Sequence, residues 1–156
     1  MGWLGLDDTD HLGGGCTTHA LFELIQEIPP QYLVSSQRLV RLYPFAKQRT
    51  RGNAAVAINI EGDDYTELLS FLDTWWKEKI SPLKGNLTQS ESYSRQQSPT
   101  DPGMVWFEQQ PDQNVYWNCV RKEVSMNEIP DANKSWGGHG KIGATAAVSW
   151  PAENFT

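Results

Sequence analysis

Leu4-Gly-Leu-Asp-Asp-Thr-Asp-His-Leu-Gly-Gly-Gly-Cys-Thr-Thr18 is the stretch around which the rest of the chain is arranged. The apolar run at residues 3–6 predicts a buried β-strand, and three carboxylates follow it within four residues: Asp7, Asp8 and Asp10. Carboxylates this close repel one another unless a cation neutralises them. Hard oxygen ligands suit Mg²⁺ held together with substrate phosphates, so these three residues are the candidate metal ligands.

Three glycines and a pair of threonines come next along the chain. Glycine lets the backbone approach an anion closely, and free N–H groups at the start of a following helix favour negative charge. Gly14, Gly15 and Thr18 are therefore candidate phosphate ligands.

Three other interpretations of the acidic cluster compete with a metal site. A calcium loop opening at Asp8 is excluded, because Leu12 occupies its fifth position and His19 its twelfth, where Glu is needed. The pair Asp8 and Asp10 is also similar to the motif of aspartyl phosphatases, but Leu12 replaces their usual Thr or Val. A purely structural acidic turn would explain one Asp and one Gly, but not three of each.

A basic segment lies between Glu27 and Glu61, where no acidic residue occurs. It holds five of the thirteen cations: Arg38, Arg41, Lys47, Arg49 and Arg51. A solvated basic face is the ordinary explanation, but facing the acidic cluster across a cleft the segment would clamp phosphate oxygens. The net charge of −6 argues against a protein that coats nucleic acid by bulk electrostatics.

Apolar spacing predicts the elements of the chain. We expect a helix from Thr17 to the prolines at 29–30, strands at 33–42, 54–60 and 104–107, a helix over 65–80 and a last helix at 141–149. Residues 115–124 fit helix or strand. Residues 81–103 have no periodicity and predict a flexible loop or lid. We expect a single domain over residues 1–156, α/β or α+β in class, with a mixed β-sheet and helices packed on it.

Gly137-Gly-His-Gly140 precedes the last helix. The pattern does not match a Walker loop, but glycines and a helix amino terminus can still present donors to a phosphate. Gly140 and Lys141 are therefore further candidate ligands, with Lys141 adding a point charge.

Two cysteines, Cys16 and Cys119, are too few for a disulfide scaffold and are expected to be reduced thiols. A zinc site combining them with His19 and His139 is disfavoured, because no second close pair of ligands exists. The basic start of a signal peptide and an apolar run of membrane-spanning length are both missing from the sequence, which predicts a cytoplasmic protein with no membrane partner.

Three blocks of the sequence resemble the archaeal tRNA-isoleucine 2-agmatinylcytidine synthetase family. They are Gly5-Leu-Asp-Asp-Thr-Asp10 with Gly15-Cys-Thr-Thr18, then Leu39-Val-Arg-Leu-Tyr-Pro44 with Thr50-Arg-Gly-Asn-Ala-Ala-Val-Ala57, and last Gly138-His-Gly-Lys-Ile-Gly-Ala-Thr-Ala-Ala147. The resemblance covers only the family's amino-terminal, kinase-like domain. It implies binding of ATP and Mg²⁺ and phosphorylation of the 2-oxygen of a tRNA cytosine, which agmatine then displaces.

Carried over residue by residue, the resemblance implies specific roles. Asp7, Asp8 and Asp10 would hold metal, Asp8 and Arg51 would serve catalysis, Thr17 would be a phosphorylatable threonine, and Arg49, Arg51 and Asn53 would contact phosphates. The family's ferredoxin-like domain, OB-fold and zinc ribbon are missing here, so the chain is expected to be a split or trimmed domain with RNA-binding domains supplied in trans. The acceptor is expected to be an RNA cytidine or a smaller molecule, and the sequence does not decide between them. A non-catalytic nucleotide-binding regulatory module and a metal-dependent phosphatase using Asp8 stay open as alternatives.

Overall fold

A twisted antiparallel sheet with helices on both faces organises the chain. The computed structural model describes residues 2–7, 17–41, 54–83, 101–122 and 124–150. Within these ranges the strands are β1 (Gly2–Asp7), β2 (Leu33–Arg41), β3 (Ala54–Glu61), β4 (Gly103–Phe107) and β5 (Lys134–Gly137). They pair in the order β2-β3-β1-β4-β5, with β1 at the centre.

The described residues form four α-helices: α1 (Thr17–Glu27), α2 (Thr66–Trp75), α3 (Asn114–Arg121) and α4 (Lys141–Ser149). A π-helical turn at Trp76–Ile80 and a 3₁₀ turn at Ser81–Leu83 continue α2. A further 3₁₀ turn at Met126–Glu128 starts with a capping box formed by Ser125 and Glu128.

Large side chains fill the space between the sheet and α1 with α2. Alternate residues of β1 and β3 project to this face, as the two-residue period of a strand requires. The fully buried side chains here are Leu4, Leu6, Ile58, Ile60, Leu68 and Leu72, and α1 adds Leu21 and Leu24.

Small residues on the opposite face of the sheet let α4 approach closely. A methyl group added at Gly5 would lie 2.3 Å from the backbone oxygen of Ala144. Ala55 and Ala57 on β3 pack with Ala144 and Ala147 of α4 in the same cluster. The outer helix α3 packs on α4 through Cys119, Ile142 and Ala146.

The structure confirms the predicted single domain of mixed α and β structure, with helices packed on a sheet. All pairings of the described strands are antiparallel, so the sheet is antiparallel where the sequence suggested a mixed one. The ambiguous segment 115–124 contains a helix, α3, and the short strand β5 was not predicted at all. Most of the predicted loop 81–103 lies outside the described residues, and at its ends Ser81–Leu83 is helical and Gly103 opens β4.

Candidate functional site at one edge of the sheet

The stretches singled out from the sequence come together at the end of the sheet where β1 terminates. This end of the strands is here called the site edge. Asp7 is paired with Ala55 of β3 on one side and with Gly103 of β4 on the other. Gly103 is in turn paired with Gly137, and Arg41 with Ala54. The acidic cluster, the basic segment and the glycine turn before α4 are therefore attached to the same edge.

Asp7 is the one member of the acidic cluster within the described residues. Only 8% of it is exposed, and it follows Gly5 on the face of β1 that α4 covers. A carboxylate this buried is costly unless a partner or a cation stabilises it, and the role of Asp7 as a metal ligand stays a prediction.

The Cys119 thiol on α3 lies in the electrostatic field of Asp7. Burial raises the pKa of Cys119 to about 12, and the carboxylates of Asp7 and Glu128 add to the rise. The thiol therefore stays protonated at neutral pH, which makes it a poor metal ligand or nucleophile.

Asp101 organises the glycine turn before α4, a role that the sequence did not reveal. Its carboxylate Oδ2 accepts the backbone N–H of His139 at 2.8 Å. Its backbone oxygen accepts the N–H of Gly140 at 2.9 Å, and the oxygen of Pro102 accepts the N–H of Gly138 at 2.9 Å. Asp101 thus binds the two consecutive amides that come immediately before α4.

Gly140 lies where three backbone segments meet. A methyl group added there would be 2.5 Å from the nitrogen of Gly103 and 2.7 Å from the oxygen of Asp7. Its N–H already has an acceptor in Asp101, so a phosphate-binding role of its backbone N–H has no support from this geometry. Gly140 instead brings the first turn of α4 against the end of β1.

Lys141 begins α4 directly beside this contact. Its half-buried side chain lines a pocket of about 110 Å³ together with Val105, Ser135 and Thr145. In the described ranges its ammonium forms no ion pair. The backbone N–H of Lys141 already donates to the oxygen of Gly138, so only its side-chain ammonium could contact a phosphate.

The two threonines that open α1 differ in accessibility. Thr17 is 6% exposed and contributes to the buried face of the helix, whereas Thr18 faces solvent. Both lie at the helix start that the sequence predicted. The hydroxyl of Thr18 is the one that a soluble molecule reaches without opening the first turn.

The phosphate-clamp interpretation is wrong for Arg38. This side chain is 8% exposed and packs between two indoles, 4.6 Å from the ring centroid of Trp3 and 5.7 Å from that of Trp150. Its Nη1 donates to the backbone oxygen of Trp150 at 2.6 Å, just beyond the carboxyl end of α4. Arg38 therefore lies at the opposite end of α4 from Gly140 and Lys141.

Several predicted site residues lie outside the described residues, and their assignments stay predictions: Asp8, Asp10, Gly14, Gly15, Cys16, Lys47, Arg49, Arg51 and Asn53. The backbone of Arg41 ends β2 at the site edge. Within the described ranges, no group of three or more His, Cys, Asp or Glu side chains is arranged to hold a metal ion.

A larger pocket, of about 500 Å³, lies at the opposite edge of the sheet. Tyr32, Asp63, Asp64 and Glu67 are among its lining residues, and the side chain of Gln31 hydrogen-bonds to that of Glu67. Its carboxylates would repel a phosphate unless a cation were bound, and the described residues hold no group of three or more acidic, His or Cys side chains arranged for one.

The fold and the site edge define a class of α/β domain in which an acidic strand end and the starts of two helices meet at one side of an antiparallel sheet. The chain belongs to the TiaS TCKD domain family, whose model matches residues 3–140.

The relatives of the chain are the 2-agmatinylcytidine synthetases of an isoleucine tRNA, also called TiaS. The protein of Pyrobaculum neutrophilum is 34% identical over 164 residues, which cover 97% of this chain and 36% of that protein. The protein of Methanopyrus kandleri is 34% identical over 161 residues, which cover 96% of this chain and 34% of that protein. This chain therefore spans about a third of the length of these relatives.

Solved TiaS structures share the fold. The crystal structure of a TiaS complex with isoleucine tRNA and ATP superposes with a TM-score of 0.72 at 25% identity, covering 98% of this chain and 37% of that one. A TiaS complex with the same tRNA, AMPCPP and agmatine superposes with a TM-score of 0.68 at 24% identity, over 98% of this chain and 37% of that one. Separately, none of the described helices is long and apolar enough to cross a membrane.

Proposed function

We propose that this chain is an ATP- and Mg²⁺-dependent phosphoryl-transfer domain acting on an RNA cytidine or a smaller acceptor. The observation that carries the proposal is the likeness, over 98% of the chain, to a TiaS structure that holds ATP and an isoleucine tRNA. We place the reaction at the site edge, where the acidic cluster is attached.

The residues of the site edge fit ATP with Mg²⁺. Asp7 offers a hard carboxylate donor in a buried setting, and Asp8 and Asp10 follow it directly in sequence. The ammonium of Lys141 has no ion-pair partner in the described ranges. Lys141 is the first residue of α4, and Gly140 just before it lies against the backbone oxygen of Asp7. When bound, Mg²⁺ would neutralise phosphate charge as it develops.

The chain's own contribution would be position and charge. Phosphoryl transfer needs little covalent chemistry from a protein and depends on orientation and electrostatic stabilisation. Asp7, Asp8 and Asp10 would hold the metal, and Lys141, Arg49, Arg51 and Asn53 would contact phosphate oxygens. Because Thr17 is 6% exposed, a phosphate donor would reach its hydroxyl only if the residues that cover it moved.

The charge of the chain also bears on what it would do alone. With a net charge of −6, the chain is poorly suited to hold a tRNA-sized polyanion by itself. We therefore propose that partner domains in trans present the RNA. If no such partner exists, the acceptor is a smaller molecule that reaches the site without them.

Incubation of the chain with γ-labelled ATP and Mg²⁺ tests the proposal. We expect label transfer to added cytidine-containing RNA or to the protein, and loss of transfer with EDTA or in Asp7→Asn. The matched control is Asp112→Asn, an exposed carboxylate that accepts the N–H of Asn114 at 2.8 Å at the start of α3.

Two other results would replace the proposal. ATP binding without any transfer would indicate a regulatory module, and hydrolysis of phosphate esters by a route that requires Asp8 would indicate a phosphatase. Equal ATP affinity with and without EDTA, and in Asp7→Asn, would contradict the metal site.

A further inference from the structure

We propose that Asp101 is a positioning residue of the site edge, which holds the turn Gly137–Gly140 so that α4 starts against the end of β1. This inference rests on the proposed function, because the site that Asp101 would position is the proposed ATP site. In the sequence Asp101 is followed by Pro102 and Gly103, a pattern typical of a turn.

The first step is the double attachment of the turn. The carboxylate Oδ2 of Asp101 accepts the His139 N–H at 2.8 Å, and its backbone oxygen accepts the Gly140 N–H at 2.9 Å. These bonds join residues almost forty positions apart in sequence. They fix two consecutive amides immediately before Lys141.

The second step is the fit of the carboxylate against Gly138. A methyl group added at Gly138 would lie 2.3 Å from Oδ1 and 2.6 Å from Oδ2 of Asp101. Gly138 does not have a positive φ, so the backbone conformation alone would allow another residue there. Glycine is required because the carboxylate occupies the space of a side chain.

The third step connects the turn to the strand end. The backbone of Gly140 lies so close to the end of β1 that a methyl group added there would be 2.5 Å from the Gly103 nitrogen and 2.7 Å from the Asp7 oxygen. Asp101 therefore determines where the first turn of α4, with Lys141, stands relative to Asp7. A displacement of about 1 Å at such a site is enough to lower activity strongly.

Three variants and a control test this role. Asp101→Ala removes the acceptor of the His139 N–H, whereas Asp101→Asn keeps an uncharged acceptor oxygen. Gly138→Ala displaces the carboxylate without changing Asp101. The control Asp112→Ala removes the equivalent carboxylate bond to the Asn114 N–H at the start of α3.

Amide hydrogen exchange, read by NMR, gives the local result. We expect the His139 amide to exchange at least about tenfold faster in Asp101→Ala and Gly138→Ala, and at the wild-type rate in Asp112→Ala. Calorimetry should show Mg²⁺-ATP affinity reduced at least about tenfold in the same two variants. The double variant Asp101→Ala with Gly138→Ala should bind Mg²⁺-ATP no more weakly than Asp101→Ala alone, because both changes remove the same hydrogen bond between the Asp101 carboxylate and the His139 amide.

Asp101→Asn separates positioning from charge. Recovery of most of the ATP affinity is expected, because the amide oxygen accepts the same N–H. If Asp101→Asn were as weak as Asp101→Ala, the charge would be what matters and the positioning role would be overturned. Unchanged ATP affinity in Asp101→Ala would overturn it as well.

The same experiments distinguish the two proposals. Absence of ATP binding by the wild-type chain would contradict the proposed function without reference to any variant. In that case the exchange rate of the His139 amide would still decide whether the Asp101 carboxylate holds the turn.

Discussion

Arg38 illustrates how the role of a single residue depends on what surrounds it. It belongs to a basic segment whose composition favours a phosphate clamp, yet its guanidinium is buried between Trp3 and Trp150. A planar, weakly hydrated cation suits this position, because it stacks on aromatic faces and donates to the last carbonyls of a helix. Gln110 contributes a second donor, at 3.1 Å from the oxygen of Trp150.

Arg38→Ala should therefore destabilise the fold by about 2–4 kcal/mol, because it removes two cation–π contacts and a charged hydrogen bond and leaves a gap. Chemical denaturation measures this. The control is Arg121→Ala, an exposed cation 5.6 Å from the ring of Trp117, with an expected loss within about 1 kcal/mol.

ATP affinity gives an independent check on Arg38. Because α4 has nine residues, its two ends are about 13 Å apart, and Arg38→Lys should leave ATP affinity unchanged. A loss of affinity as large as that of Lys141→Ala would return Arg38 to the phosphate clamp.

Asp7 and Lys141 could be proposed from the sequence because each adjoins a strong pattern, an apolar strand in one case and a glycine turn before a helix in the other. Asp101 could not be found in the same way. Its short-range signal is that of a turn, and its hydrogen-bond partner, His139, is 38 positions away in sequence. The same limit applies to Arg38, whose partner Trp150 is 112 positions away.

At the scale of elements, the sequence predicted the helices and strands whose apolar residues recur with a clear period. It did not predict β5 and left α3 ambiguous between helix and strand. The strand β5 has four residues with Trp136 alone among them buried, too few to show alternation. The helix α3 buries only Cys119, so its residues fit either period. What holds β5 in place is tertiary: Lys134 and Trp136 both donate to the carboxylate of Asp73 on α2, at 2.8 and 2.7 Å.

This link between α2 and β5 predicts a pH-dependent contribution to stability. The hydrogen bond from Lys134, together with that from Trp136, lowers the pKa of Asp73 below its usual value despite some burial. A group with a lowered pKa in the folded state stabilises the fold above its unfolded pKa, near 4, and the contribution is lost as the pH falls through the folded value.

Asp73→Asn should thus lower the free energy of unfolding by no more than about 1 kcal/mol at pH 7, since 43% of the Asp73 side chain is exposed. The difference from wild type should narrow below about pH 4. Denaturation at pH 7 and pH 3 measures both values, with Asp63→Asn, an exposed carboxylate, as the control. A difference that stays constant with pH would show that packing, not charge, joins the two elements.

The close packing of α4 on the sheet predicts a second element-scale effect. Gly5→Ala should cost about 3 kcal/mol, because the new methyl meets the backbone oxygen of Ala144, which cannot move without the helix. The control is Ala57→Gly, the register partner of Gly5 on β3, with an expected cost of about 1–2 kcal/mol.

The swap Gly5→Ala with Ala57→Gly keeps the composition constant. Its free energy of unfolding should be no higher than that of Gly5→Ala alone, because the clash of the new methyl group with α4 persists. Recovery of wild-type stability in the swap would mean that sheet volume, not the approach of α4, sets the requirement for glycine.

At the scale of the whole molecule, several of the positive charges are neutralised or buried within the protein. The net charge is −6, and several cations are committed internally: Arg38 is buried, Lys134 pairs with Asp73, and Lys122 pairs with Glu128 at 3.4 Å. At the edge opposite the site, Asp63, Asp64 and Glu67 line an acidic pocket. Within the described ranges, these internal pairings and the acidic pocket reduce the cationic surface that a polyanion could use away from the site edge.

This distribution predicts that the 156-residue chain binds ATP but retains tRNA weakly. RNA affinity depends mainly on the number of phosphates neutralised, and the cations attached to the site edge are those proposed for ATP. A filter-binding titration of the chain alone should give a dissociation constant above about 1 µM at near-physiological salt, with a shallow salt dependence that reflects few contacts. ATP binding by the same preparation serves as the control for folding. Submicromolar, nucleotide-independent tRNA binding would show instead that the chain carries its own RNA-binding surface and needs no partner domain.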